Sequence, residues 1–138
     1  LTRPAPSQTV LVVEDEPELR DVLCHILTEA PIVAASARDG REAIEWLRRE
    51  PTPGVIVLDL MLPELDGIGV LDWLRTEPRL AGVPIVVVSA ASRERVALAL
   101  EHGPALFLPK PIDAVRLVRS VRRACGLDPD AHPLRDAA

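Results

Sequence analysis

Lysine is almost absent from this chain: fifteen of its sixteen basic residues are arginine, and Lys110 stands alone. A composition bias accounts for the arginines and makes the one remaining lysine a residue to examine. Cysteine is scarce too. Cys24 and Cys125 have neither metal-ligand spacing nor a neighbouring cysteine, so both are expected to be reduced thiols, packed or at the surface, in a cytoplasmic protein without disulfides. No apolar run approaches the ~20 residues of a membrane span, which predicts a soluble protein with no membrane association. Nor is there a dense basic block. With a formal charge of −5, direct nucleic-acid binding by this domain is not expected, because such binding rests mainly on phosphate neutralisation. No charged-then-apolar leader opens the sequence. It starts at Leu1 rather than Met, so further sequence is expected beyond either end.

What is present fits one ordinary globular domain of 138 residues, 48% of them hydrophobic, long enough to bury about two thirds of its unfolded surface. Short unbroken apolar runs recur at Val10–Val13, Ile32–Ala35, Val55–Leu58, Val83–Val88 and Ala105–Leu108, and each reads as a buried strand. Between them the apolar period becomes helical. Leu19, Val22, Leu23, Ile26, Leu27 and Ala30 make one face, followed by Ala43, Ile44 and Leu47, by Ile68, Leu71 and Leu74, and by Val96 and Leu100. The last face is Ala114, Leu117, Val118, Val121 and Cys125. Pro17 suits a first helical turn, Asp39 with Glu42 resembles a capping box, and Asp113 is placed to cap the last helix. Pro31, Pro51, Pro78 and Gly126 stand at the expected stops.

Five strands alternating with five helices, with unbroken apolar strands, predict a doubly wound α/β domain: a parallel sheet covered on both faces through right-handed crossovers. Residues 9–125 form that domain, with flexible extensions expected at 1–8 and 126–138. In such sheets the ligand site lies beyond the carboxyl ends of the strands. The residues there are Glu14 and Asp15 after the first strand, Asp59 after the third, Ser89 after the fourth and Lys110 past the fifth. Three carboxylates in one place are costly. At ~4 Å and an effective dielectric near 20 each pair repels by about 4 kcal/mol, a cost that a divalent cation removes. The candidate ligands are all oxygens, which favours Mg²⁺ over a transition metal. Asp59 is then an oxygen nucleophile facing a phosphoryl group, with Lys110 and the Ser89 hydroxyl able to stabilise charge on the transferring oxygens.

At this point the sequence resembles the response-regulator receiver family, through VLVVEDEP at Val10–Pro17, VIVLDLMLPELDG at Val55–Gly67, VVVSA at Val86–Ala90 and FLPKP at Phe107–Pro111. The four motifs stand in order and span roughly Thr9 to Cys125. The resemblance implies a flavodoxin-like strand order 2-1-3-4-5 and a two-component phosphorelay switch that takes a phosphoryl group from a histidine kinase or phosphotransfer protein onto Asp59. It makes Glu14, Asp15, Asp59 and the Met61 backbone carbonyl the Mg²⁺ ligands, Ser89 and Phe107 the switch pair, Lys110 the phosphate-binding lysine and Pro111 a cis proline. Two positions are variants. Glu14 stands where Asp is commoner, its extra methylene suiting contact through a water, and Phe107 stands where Tyr is commoner.

Blander readings exist for each residue. Glu14 and Asp15 alone would be a solvated loop, Lys110 a turn lysine, Ser89 a satisfied strand-end hydroxyl, and Phe107 simple core. Trp46 and Trp73 read as partly covered helix aromatics, and His25, His102 and His132 as neither catalytic nor ligating. A dinucleotide-binding enzyme would need a glycine-rich turn where Glu14-Asp15-Glu16-Pro17 stands. A phosphatase similar to the haloacid dehalogenases would need an aspartate at position 61, and a receiver-like scaffold without phosphorylation would usually show a broken acceptor or acidic pair. The chain is therefore read as a switch, not an enzyme, that promotes its own phosphorylation and slow dephosphorylation. Its expected output is the surface of the fourth helix, fifth strand and fifth helix, bearing Arg93, Glu94, Arg95, Glu101, Arg116, Arg119, Arg122 and Arg123, for a partner or a second copy. Output type stays open among a single-domain regulator, a longer transcription factor and a hybrid kinase.

Overall fold

A computed structural model describes residues 9–103 and 106–126; the expected extensions at 1–8 and 127–138, with His132, and residue 105 of the expected fifth strand lie outside them. The chain runs β1 (Val10–Val13), α1 (Pro17–Glu29), β2 (Ala34–Ala37), α2 (Gly40–Arg49), β3 (Val55–Asp59), α3 (Gly67–Thr76), β4 (Ile85–Ser89), α4 (Arg93–Leu100), β5 (Leu106–Pro109) and α5 (Ala114–Ala124). All strand pairs are parallel, and the sheet order is β2-β1-β3-β4-β5, as the resemblance implies.

The unbroken apolar strands have a simple cause: both faces of the sheet are covered. Leu11, Val13, Ile56, Leu58 and Val87 pack with Ala43, Leu47, Val70, Leu71, Leu74 and Ala99 of α2, α3 and α4. Val10, Val12, Val55, Val57, Val86 and Val88 point the other way, onto Leu23 and Leu27 of α1 and Leu117 and Val121 of α5. The alternation is the period of two of a β-strand. Each aliphatic side chain so buried contributes roughly 1.5–3 kcal/mol, so the centre of the sheet resists truncation most.

Helix starts follow local chemistry. Pro17 occupies the first turn of α1. Asp39, Asp66, Ser92 and Asp113 accept from the backbone N–H of Glu42, Gly69, Arg95 and Arg116 respectively. The Glu42 carboxylate reaches back to the N–H of Arg38, not to that of Asp39, so the capping box is shifted by one residue. Gly126, with φ of 75°, follows α5 in the left-handed region that ends helices. Two arginines close other helix ends: Arg79 donates to the carbonyls of Leu47 and Glu50 and, at 2.7 Å, to the Thr52 hydroxyl, and Arg122 donates to the Ala30 carbonyl.

Several expected elements are displaced. The second strand is Ala34–Ala37 rather than Ile32–Ala35: Ile32 packs against the α1–α5 side as loop, while Val33 is exposed. This is an edge strand with exposed Ser36, so an apolar run does not mark it. The fourth strand begins at Ile85, not Val83, because Pro84 intervenes and has no N–H for the ladder. The third extends to Asp59 and the fourth to Ser89. On α1 the face centres on Leu23 and Leu27, leaving Val22 exposed; on α4 Ala99 is fully buried and Leu100 is exposed. Ala114, at the start of α5, is exposed as well.

Candidate functional site

The carboxyl ends of β1, β3, β4 and β5 meet at one edge, and their terminal residues carry the polar groups. Glu14 continues the β1 ladder through its N–H to the Ala37 carbonyl, which turns its side chain inward, with no solvent exposure. Its Oε2 accepts from the Glu16 N–H at 3.2 Å, and its carbonyl accepts from Arg20 at 3.0 Å. Asp59, the last residue of β3, is 1% exposed. Its Oδ1 accepts from the Met61 N–H at 3.0 Å and its Oδ2 from Lys110 Nζ at 2.8 Å. The loop after it folds back tightly: Gly67 donates to the Leu60 carbonyl, and a Cβ on Gly67 would lie 2.5 Å from the Asp59 carbonyl oxygen. Only glycine fits there.

Lys110 is held by its N–H to the Ser89 carbonyl at 3.0 Å, and the Lys110–Pro111 peptide is cis. Its ammonium bridges two strands, 2.9 Å from Glu14 Oε1 and 2.8 Å from Asp59 Oδ2. Asp15 is exposed beside this pair, and Glu14, Asp15 and Asp59 each offer a carboxylate oxygen, all within 4.8 Å of one another. Ser89 is buried, with its Oγ accepting from the Ala91 N–H at 3.0 Å. Phe107, opposite Val87 in the β4–β5 register, is half-buried. With Ser89, Val96, Leu100 and Lys110 it lines an open cleft of about 430 Å³. The structure thus brings Glu14, Asp15, Asp59 and Lys110 into one cluster and places Ser89 and Phe107 along the adjoining cleft. Met61 extends its side chain to solvent.

Burial pushes the Glu14 carboxyl up to about 7; the neighbouring Lys110 ammonium opposes that and the Asp59 charge adds to it. Burial would lower the Lys110 pKa, but its hydrogen bonds to Asp59 and Glu14 outweigh that and raise it. One ammonium thus pairs with two carboxylates, and the third, Asp15, lies beside them without a cation of its own among the described residues. A divalent cation fits the remaining imbalance, because the donors are all hard oxygens and exposed Asp15 opens the cluster to solvent.

Other expectations resolve as follows. Trp46 and Trp73 are partly covered, and the Arg48 guanidinium lies 5.6 Å from the Trp73 ring centroid. His25 pairs with Glu29 at 3.5 Å, and His102 bridges the Leu98 carbonyl and Asp72. Neither histidine joins the carboxylate cluster. Arg95 stays partly exposed on α4 and pairs with Asp66 at 2.5 Å. Arg119 and Arg122 of α5 also line a groove against α1. Sequence reasoning missed Arg20 and the Asp66–Arg95 link; the Asp-Gly step at 66–67 signalled the turn but not its partner.

The family model for the response regulator receiver domain matches residues 10–122. An uncharacterised 14.6 kDa protein of Leptolyngbya boryana is 34% identical over 124 residues, 88% of this chain and 94% of that protein. The DNA-binding response regulator MtrA of Mycolicibacterium smegmatis is 38% identical over 116 residues, covering 83% of this chain but 49% of the regulator. The chain spans about half the length of this and of PhoB of Escherichia coli. Among solved structures, the receiver domain of the Francisella response regulator 1452 superposes with a TM-score of 0.79 at 30% identity, covering 88% of this chain and 98% of that one. The receiver domain of a Syntrophus aciditrophicus signal transduction histidine kinase gives 0.80 at 31%, covering 91% and 96%. The cluster therefore belongs to a signalling domain, not to a metabolic enzyme. The chain is a member of the response regulator receiver domain family of two-component systems. Among the described residues no helix is long and apolar enough to cross a membrane.

Proposed function

We propose that this domain accepts a phosphoryl group on Asp59, with Mg²⁺, from the phosphohistidine of a sensor kinase or phosphotransfer protein in the cytoplasm. The observation that carries the reading is Lys110 Nζ held at 2.8 Å from a 1%-exposed Asp59 carboxylate and 2.9 Å from a fully buried Glu14. A charge triad this expensive to desolvate has a clear use when a phosphoryl group is the ligand. Glu14, Asp15, Asp59 and the Met61 carbonyl would hold the metal, which when bound neutralises charge on the phosphoryl oxygens. Asp59 supplies the attacking oxygen: a bond forms from it to phosphorus as the donor's bond breaks. The Met61 N–H steadies the non-attacking oxygen, and Lys110 stands ready to follow the new negative charge. Water attack on the resulting acyl phosphate returns Asp59 and inorganic phosphate, making the domain a self-resetting switch.

The added charge of about −1.5 to −2 draws Lys110 and Ser89 toward Asp59. Because the Lys110 N–H bonds the Ser89 carbonyl, these two residues move as a unit. Inward motion of Ser89 frees space for half-buried Phe107 to turn, carrying the signal to the surface of α4, β5 and α5, where a partner or a second copy reads it. The test is intact-mass measurement after incubation with a small phosphodonor and Mg²⁺. One acid-labile phosphoryl group is expected, absent in Asp59→Asn and on omission of the metal. Unmodified wild-type protein, or equal modification of Asp59→Asn, would overturn the reading.

A further inference from the structure

Four of the five helices begin on a side-chain cap, and α1 does not. Asp39, Asp66, Ser92 and Asp113 each accept from the N–H three residues on, whereas Glu16, in the same place before α1, makes no side-chain cap. Arg20 takes over the ordering of this turn. Its backbone N–H closes the first helical turn on the Glu16 carbonyl at 2.9 Å, and its guanidinium reaches back past the cap to the Glu14 carbonyl at 3.0 Å. Charge alone does not explain that choice of partner. Arg20 is half-buried, with Glu18 and Asp21 close by in sequence, yet among the described residues it enters no ion pair and donates to a neutral oxygen instead.

That oxygen belongs to the peptide that joins Glu14 to Asp15. A peptide unit is planar, so holding the Glu14 carbonyl fixes the bond from which Asp15 hangs and with it the direction in which the Asp15 side chain leaves the turn. Asp15 needs such a restraint. Its carboxylate is exposed, has no cation of its own among the described residues, and offers an oxygen within 4.8 Å of oxygens of Glu14 and Asp59, so like-charge repulsion drives it out into water. Lys110 holds the other two carboxylates in place; Asp15 is held through its backbone. We propose, on the reading that these carboxylates hold Mg²⁺, that Arg20 is a positioning residue for the metal site, its grip on the Glu14 carbonyl keeping the Asp15 carboxylate turned toward Glu14 and Asp59. The role has a sign that charge alone would reverse. A guanidinium 3.0 Å from the Glu14 carbonyl repels a divalent cation at the carboxylates, so as a mere charge Arg20 would weaken metal binding, whereas as a positioning residue it strengthens it.

Titration of the full, metal-stripped chain with Mg²⁺, followed by amide NMR shifts that read weak as well as tight binding, tests it, with circular dichroism to confirm that each variant is folded. Arg20→Met should raise the Mg²⁺ Kd by about tenfold, the low end of what losing a group that orients a metal ligand costs. Arg20→Lys, which keeps the charge and a donor, should bind more weakly than wild type and more tightly than Arg20→Met. In an Asp15→Asn background, with no carboxylate left to position, Arg20→Met should change the Kd by less than about twofold. An Arg20→Met protein that binds Mg²⁺ as tightly as wild type or more tightly, or one that loses as much affinity in the Asp15→Asn background as in wild type, would overturn the proposal. Should Asp15→Asn alone abolish binding, an Arg20→Lys protein no tighter than Arg20→Met decides against it. Wild type that binds no Mg²⁺ would instead overturn the reading of the carboxylates as a metal site, and with it any role for Arg20 there.

Discussion

Replacing Glu14 by Gln isolates the cost of a buried charge. In the folded protein Glu14 holds its proton up to about pH 7, whereas the unfolded chain releases it near the ordinary value of 4.5. Between those values the folded state binds more protons, so metal-free stability falls as pH rises through the window and levels off above it. At 1.36 kcal/mol per pH unit the displacement is worth roughly 3 kcal/mol. The Glu14→Gln substitution keeps the shape and removes the charge, but the single amide oxygen serves only one of the two donors that Glu14 now satisfies, Glu16 N–H and Lys110. The net gain at pH 8.5 without metal should therefore be about 1–2 kcal/mol, vanishing near pH 4.5. Urea unfolding in EDTA at pH 4.5, 7 and 8.5 measures it. With excess Mg²⁺ the order should narrow or reverse, because the metal binds the folded wild type by mass action and binds the Glu14→Gln protein less well. A Glu14→Gln protein less stable than wild type at pH 8.5 in EDTA would refute the reasoning, showing that the Glu14–Lys110 attraction outweighs the desolvation of Glu14.

Lys110→Ala should still gain a phosphoryl group at Asp59 but lose the conformational response, seen as unchanged amide hydrogen exchange over 96–108 on adding a phosphoryl analogue; a full response in the variant would reject the role. In the wild type, exchange should change across α4, β5 and α5, and changes confined to the loops around Asp59 would reject that output surface. Met61 and Ala91 carry no polar side-chain group to orient water, so the phosphorylated state should last minutes or longer by intact-mass decay, and loss within seconds without a phosphatase would contradict this. Arg79→Ala should lower stability by about 1–2 kcal/mol in chemical denaturation, by stripping the donors from the carbonyls of Leu47 and Glu50 at the end of α2.

How much of this was legible depended on the environment of each element. β1, β3 and β4 are buried on both faces, so their sequence is uninterrupted Val, Ile and Leu and their positions emerge within two residues. β2 lies at the sheet edge, where half-buried Ala34 and Ala35 and exposed Ser36 suffice; Ile32 and Val33 look more like a strand and are not one. The face of α4 is only half legible for a related reason. Val96 packs on the core as expected, but the one fully buried residue is small Ala99, while bulkier Leu100 is exposed. The candidate site was legible because a parallel sheet delivers its strand ends to one edge, so position along the chain alone gathers Glu14, Asp59, Ser89 and Lys110. What position could not give is pairing: that Lys110 bridges Glu14 and Asp59, and that Arg95 turns back to Asp66.

That last contact bears on how a charge at Asp59 would reach α4. Asp66 caps α3 at the end of the loop that begins at Asp59, and Arg95 sits on the first turns of α4. The link is a second connection between the proposed acceptor and α4, beside the one through Ser89. At the far end of α4, His102 is tied to Asp72 of α3, so a helix with little apolar anchorage is held to its neighbour at both ends by polar contacts. Their strength limits their role. Both side chains of the Asp66–Arg95 pair are 36% exposed, and a pair that accessible contributes about 0–1 kcal/mol. Moving a two-state equilibrium from 1:99 to 99:1 takes about 5.5 kcal/mol. The pair can set where α4 rests, whereas the proposed switch would have to draw on the contacts at Asp59 and Ser89, each 1% exposed, which salt and water screen far less than an accessible ion pair.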